Sequence, residues 1–99
     1  MTETYTSGLW TVKEGEEDAF VAAWEEFVRW ASEMPGSGTF RLVRDLEQPN
    51  RFMSFAPWES FEVQRDWKRS PEFPERLGRV RQHVDSFEPS TYELVVKID

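Results

Sequence analysis

Tyr, Trp, Thr and Val cluster along Thr4 to Val12, and apolar positions alternate there with polar ones. A period of two in β-branched and aromatic side chains predicts a strand. Lys13-Glu14-Gly15 interrupts the pattern, and Glu16, Glu17 and Asp18 then place negative charge where a helix N-terminus carries a positive partial charge. A helix is expected from near Gly15. Its apolar residues Phe20, Trp24, Phe27, Val28 and Ala31 step by three and four and share one face, leaving Glu25, Glu26 and Arg29 opposite. Pro35-Gly36-Ser37-Gly38 ends it, because Pro cannot continue a helix and Gly lets the chain reverse.

A second strand is predicted over Thr39 to Leu46. Pro49 and Asn50 suit the central positions of a β-turn, so Glu47-Gln48-Pro49-Asn50 reads as the loop of a hairpin. The third strand, Arg51 to Pro57, sets Phe52, Ser54, Ala56 and then Trp58 on one face and Met53 and Phe55 on the other. Val63 and Trp67 have helical spacing within Ser60 to Ser70, and Phe73, Leu77, Val80 and Val84 continue it after Pro71. Pro71 and Pro74 each suit a first-turn position, so a short helix followed by a longer one is expected. A fourth strand is expected from Thr91 to Ile98, where Tyr92, Leu94, Val96 and Ile98 alternate with Glu93, Val95 and Lys97.

This order, βαββαβ, predicts one α+β domain over residues 1–99 of ferredoxin-like form, a four-stranded antiparallel sheet with its helices on one face. The bare face would expose Met53, Phe55 and apolar neighbours. A twofold homodimer through that sheet face would cover them.

Composition narrows the partners. Aromatic residues are 15% of the chain, and each buries on the order of 150–250 Å², which lets a small chain fill a core. With no Cys, disulfides and thiolate metal sites are excluded. Met1 to Tyr5 lacks the basic and apolar regions of a signal peptide, and no apolar run approaches the roughly 20 residues of a membrane span, so the cytoplasm is the expected compartment. A net charge of −7 disfavours nucleic acid and anionic membranes as partners. From Glu14 to Glu33 there are seven acids and one Arg, whereas from Arg65 to Arg81 there are six basic residues and three acids. Two oppositely charged helices lying side by side would account for this.

Candidate chemistry is sparse. His83, the only His, has no partner pattern and reads as a surface or helix-end residue. No spacing suits a metal, no Gly-rich turn suits a phosphate, and the acids of the first helix read as a solvated face. Trp10, Trp24, Trp30 and Trp67 read as core; Trp58, at a strand end, suits either core packing or a pocket wall.

The run Ser7-Gly8-Leu9-Trp10-Thr11-Val12-Lys13-Glu14-Gly15, the acidic first helix, Pro35-Gly36-Ser37-Gly38-Thr39-Phe40, Pro49-Asn50-Arg51-Phe52 and Trp58-Glu59-Ser60 resemble, in order and spacing, the antibiotic biosynthesis monooxygenase family. The resemblance implies the dimeric α+β barrel fold, with a pocket between each subunit's sheet and helices. In the best-known members it implies oxidation of aromatic polyketides by O₂ without flavin, haem or metal, the substrate supplying the electrons. No cofactor is therefore expected. Where those members line the pocket with Trp, Asn and Tyr, this chain carries Trp58, Ser54 and Gln64. Phe52 and Trp67 complete the candidate substrate-binding set, and no residue is assigned as catalytic. Haem-degrading relatives carry Asn and His where this chain has Gly8 and Lys68, so haem is not expected. Two functions follow: a cofactor-independent monooxygenase of an aromatic polyketide- or quinol-like molecule, or a non-catalytic dimeric binding or scaffolding module of the same fold.

Overall fold

The computed structural model describes residues 3–99. Met1 and Thr2, part of the terminus read above for a signal peptide, lie outside the described residues. The elements run β1 (Thr4–Val12), α1 (Glu17–Ala31), β2 (Arg41–Arg44), β3 (Arg51–Trp58), α2 (Phe61–Lys68), α3 (Phe73–Arg81) and β4 (Val84–Glu93). The strands form one antiparallel sheet in the order β2-β3-β1-β4. This is the expected ferredoxin-like α+β arrangement, with the second helical region split in two.

Local chemistry sets the boundaries. Gly15, at φ +85°, turns the chain into α1 in a conformation that L side chains rarely adopt, and Glu17 and Asp18 occupy the first turn. The Ser60 hydroxyl accepts from Val63 N–H at 3.3 Å and caps α2. Pro74 sits in the first turn of α3, where its missing N–H costs nothing. In the hairpin, Gln48 accepts from Arg51 N–H at 2.8 Å across Pro49 and Asn50. Ahead of it, Asp45 Oδ1 accepts from the N–H groups of Glu47 and Gln48, which holds its carboxyl below the usual range.

Two strands differ from expectation. β2 is shorter than Thr39 to Leu46 because the Asp45 turn ends it early and leaves Leu46 in solvent. β4 begins and ends earlier than Thr91 to Ile98. Val84, read as the end of a helical series, instead pairs with Val12 beyond a register shift, and Phe87 pairs with Trp10. The strand segment before Thr91 is polar and contains Pro89, a residue tolerated because β4 is an edge strand. Its register with β1 ends at Thr4↔Glu93, followed by one further bond from Leu94 N–H to the Glu3 carbonyl at 2.8 Å, and among the described residues no strand pairs with the alternating residues beyond, where Val95, Val96 and Ile98 are exposed.

The core lies between the sheet and the helices. Phe20, Trp24, Phe27, Trp30 and Ala31 of α1 pack with Trp10, Val12, Phe52 and Trp58 of the sheet, joined by Trp67 of α2 and Val80 of α3. The acidic and basic helices are neighbours, as expected: α1 packs on α3, Glu26 lies 3.9 Å from Arg79, and the Arg76 guanidinium stands 4.9 Å from the Trp30 ring. On the other face Leu9, Met53 and Val43 lie in register across three strands and are all exposed.

Trp58 is 2% exposed, stacks on Trp67 with ring centroids 4.9 Å apart, and donates from Nε1 to Thr6 Oγ1 at 3.0 Å. Trp58→Ala should therefore lower the unfolding free energy by about 3–5 kcal/mol in a denaturant titration. A loss under about 1 kcal/mol would contradict this packing.

Candidate functional site

The register of the sheet decides what lies under the helices. On the helix-facing side, Phe52, Trp10 and Phe87 stand side by side across β3, β1 and β4. The next row is Ser54, Gly8 and Pro89, and the row after it Ala56, Thr6 and Thr91. A bulky row is thus followed by two rows of small residues. The helices bridge this dip with Trp24, Phe27 and Trp67, and a cavity of about 190 Å³ remains, closed at further points by Phe40, Phe73 and Leu77.

Gly8 is what keeps the floor low. A Cβ there would come within 2.7 Å of Phe87 Cε1, 3.0 Å of Trp10 Nε1 and 3.1 Å of Ser54 Oγ. Phe87 cannot easily move aside, because it stacks on Trp10 with ring centroids 3.9 Å apart. The Trp10 indole is itself anchored: Nε1–H donates to Ser54 Oγ at 2.9 Å in a buried hydrogen bond. A hydroxyl carries one donor besides its lone pairs, so Ser54 keeps a proton to offer to an acceptor in the cavity.

Flat aromatic walls with few polar groups suit a flat, apolar ligand. Among the described lining residues there is no carboxylate, imidazole or phenol; the polar groups are hydroxyls, the indole N–H groups of Trp10, Trp24 and Trp67, of which that of Trp67 is buried without a partner, and the single ammonium of Lys68. Lys68 is half-buried, and desolvation pushes its ammonium below the ordinary lysine range. No group of three or more His, Cys, Asp or Glu among the described residues could hold a metal ion.

Of the residues singled out in the sequence, Ser54 and Trp67 line the cavity. Trp58, Phe52 and Gln64 do not. Trp58 backs Trp67 from the core, Phe52 packs on Phe20 with centroids 5.0 Å apart beneath the Arg44 guanidinium, and Gln64 is buried with its Oε1 unpartnered. His83 lies elsewhere, its Nδ1 2.9 Å from Glu16 Oε1 where β4 leaves α3. Gly8, Trp10, Phe87, Leu77 and Lys68 line the cavity without having been read as substrate-binding. The one sequence signal among them was Gly8, since a glycine inside a strand often marks a close approach.

Removing the Ser54 hydroxyl should strand the buried Trp10 N–H. Ser54→Ala is expected to cost about 1–3 kcal/mol in urea unfolding, and a value near zero would remove the hydrogen bond from the account. Gly8→Ala should weaken binding of a naphthalene-sized ligand, followed by quenching of Trp fluorescence. Unchanged affinity would show that the small-residue floor does not shape the site.

Residues 7–75 match the family described as antibiotic biosynthesis monooxygenase. No curated protein matches the chain. Among solved structures, SnoaB, a cofactor-independent oxygenase from Streptomyces nogalater, is similar at 17% identity and a TM-score of 0.89, covering 99% of this chain and 98% of that one. A protein from Shewanella oneidensis is similar at 18% identity and a TM-score of 0.83, covering 97% and 94%. A conserved protein from Methanosarcina mazei Go1 is similar at 17% identity and a TM-score of 0.82, covering 93% and 92%. Likeness at these identities bears on the fold; the match over residues 7–75 takes in β1 through the start of α3, and by it the chain belongs to the antibiotic biosynthesis monooxygenase family.

Proposed function

We propose that the chain is a cofactor-independent monooxygenase acting on an aromatic quinol- or polyketide-like small molecule held between sheet and helices. The observation that carries this reading is the aromatic cavity over Gly8 and Ser54, in a chain of this family. In such a reaction an electron-rich ring or its activated CH₂ supplies the electrons. One oxygen atom of O₂ enters the substrate and the other leaves as water, with the substrate's hydrogens. The chain's part is to strip water from the ring, hold it flat against Trp10, Trp24 and Trp67, and offer the Ser54 hydroxyl to a substrate oxygen. Trp58, by backing Trp67, holds that wall in place.

The second reading, a binding module without catalysis, is favoured by one observation: the lining holds no carboxylate, imidazole or phenol to take a substrate proton. Oxygen uptake separates the two. With purified protein, no added cofactor and a panel of hydroquinones and anthrones, uptake should exceed buffer in proportion to protein. Uptake equal to buffer across the panel would leave the binding module.

We also infer that the working unit is a homodimer through the open sheet face. Leu9, Val43 and Met53 are exposed on it, and the exposed Val95, Val96 and Ile98 beyond β4 add apolar surface that a second copy could cover. Light scattering at micromolar concentration should give twice the 11.8 kDa chain mass; a monomer mass would overturn the inference. Beyond a second copy and an aromatic small molecule no partner is proposed. No helix among the described residues is long and apolar enough to cross a membrane.

A further inference from the structure

Among the described residues Lys68 is the one charged side chain that lines the cavity, in a chain whose net charge is −7. Three cations of the helices are paired one turn away, Arg29 with Glu25, Arg76 with Glu72 and Arg79 with Glu75, and none of the three lines the cavity. Lys68 has no such neighbour. The residue one turn before it is the buried Gln64, and Glu72, one turn after, is engaged with Arg76. Among the described residues no carboxylate oxygen lies within ion-pair distance of its ammonium, whose hydrogen bond goes to Thr91 Oγ1 at 3.4 Å. Thr91 lies on the edge strand β4, in the row of Ala56 and Thr6, so Lys68 stands over the β4 side of the small-residue floor. Burial already pushes this ammonium down, which is the expected penalty for a partly desolvated cation without a counter-charge.

Size supplies the second constraint. A cavity of about 150 Å³ in an apolar core accommodates benzene. At about 190 Å³, and open on one side, this one suits one or two fused rings. We propose that Lys68 is the anion-recognition group of the cavity, and that its ligand is a one- or two-ring aromatic with an ionised oxygen directed at the Lys68 ammonium. This rests on the reading of the cavity as a ligand site and narrows its ligand to the quinol-sized class. A phenolic or enolic oxygen that ionises on binding loses its proton to water, and the oxyanion accepts from the ammonium. A charge-assisted hydrogen bond of this kind favours the ionised form, so the lining needs no carboxylate for that step.

The test uses two naphthalene probes of equal size, 2-naphthoate and the neutral 2-naphthamide, titrated into the intact protein with Trp fluorescence as the readout. Wild type should bind naphthoate more tightly than naphthamide. Lys68→Met should weaken naphthoate binding about tenfold or more, leave naphthamide within about twofold, and keep the far-ultraviolet circular dichroism unchanged. Lys68→Arg, which keeps the charge, should retain the preference for naphthoate. If Lys68→Met binds naphthoate as well as wild type does while both probes still bind, the cavity stands and the role of Lys68 is refuted. If neither probe binds wild type, the cavity reading fails, and the ligand assignment with it.

Discussion

The indole of Trp10 is held from several directions at once. Phe87 stacks on it at 3.9 Å, Phe20 of α1 tilts against it at 5.3 Å, and Ser54 of β3 accepts its N–H. Through that one side chain β1, β3, β4 and α1 are locked to one another, and an aromatic of this size dominates the energetics of a small core. The cavity is the other side of the same arrangement. A bulky row across the sheet props the helices up, and the small rows beside it cannot fill the space beneath them, so the void follows from which residues the register sets side by side.

Much of the fold was legible in periodicity. The α1 stripe, the Pro49-Asn50 turn and the alternation in β1 and β3 each obey a local rule, and three strands and a long helix in that order admit few arrangements. β4 was misplaced because most of its paired part before Thr91 reads as polar, while the apolar alternation from Leu94 onward lies past Thr4↔Glu93, the last pair of the β1 register. Alternation reports which residues prefer burial, not whether a neighbouring strand extends far enough to pair with them.

The site was less legible, for a related reason. Period two assigns Ser54 and Gly8 to the helix-facing side, but only the inter-strand register sets Gly8 beside both Ser54 and Pro89. With β4 misplaced, Phe87 could not be seen as the wall above Gly8. Trp58, Ser54 and Gln64 were reached through resemblance, and of these only Ser54 lines the cavity; of Phe52 and Trp67, which completed the set, Trp67 lines it and the core absorbs Phe52. The family pattern marks positions; whether a side chain there meets the cavity depends on neighbours that differ from chain to chain. Trp58 shows this, since Trp67 stacks on it and itself takes the place on the lining.

Among the described residues two apolar surfaces could receive an aromatic ligand, the cavity between sheet and helices and the exposed far side of the sheet. Intermolecular NOEs from bound 2-naphthoate distinguish them directly. Contacts to the methyls of Val28 and Leu77, which border the cavity, are the result predicted here. Contacts confined to the methyls of Leu9, Val43 and Met53 would place the ligand on the open face and contradict the account.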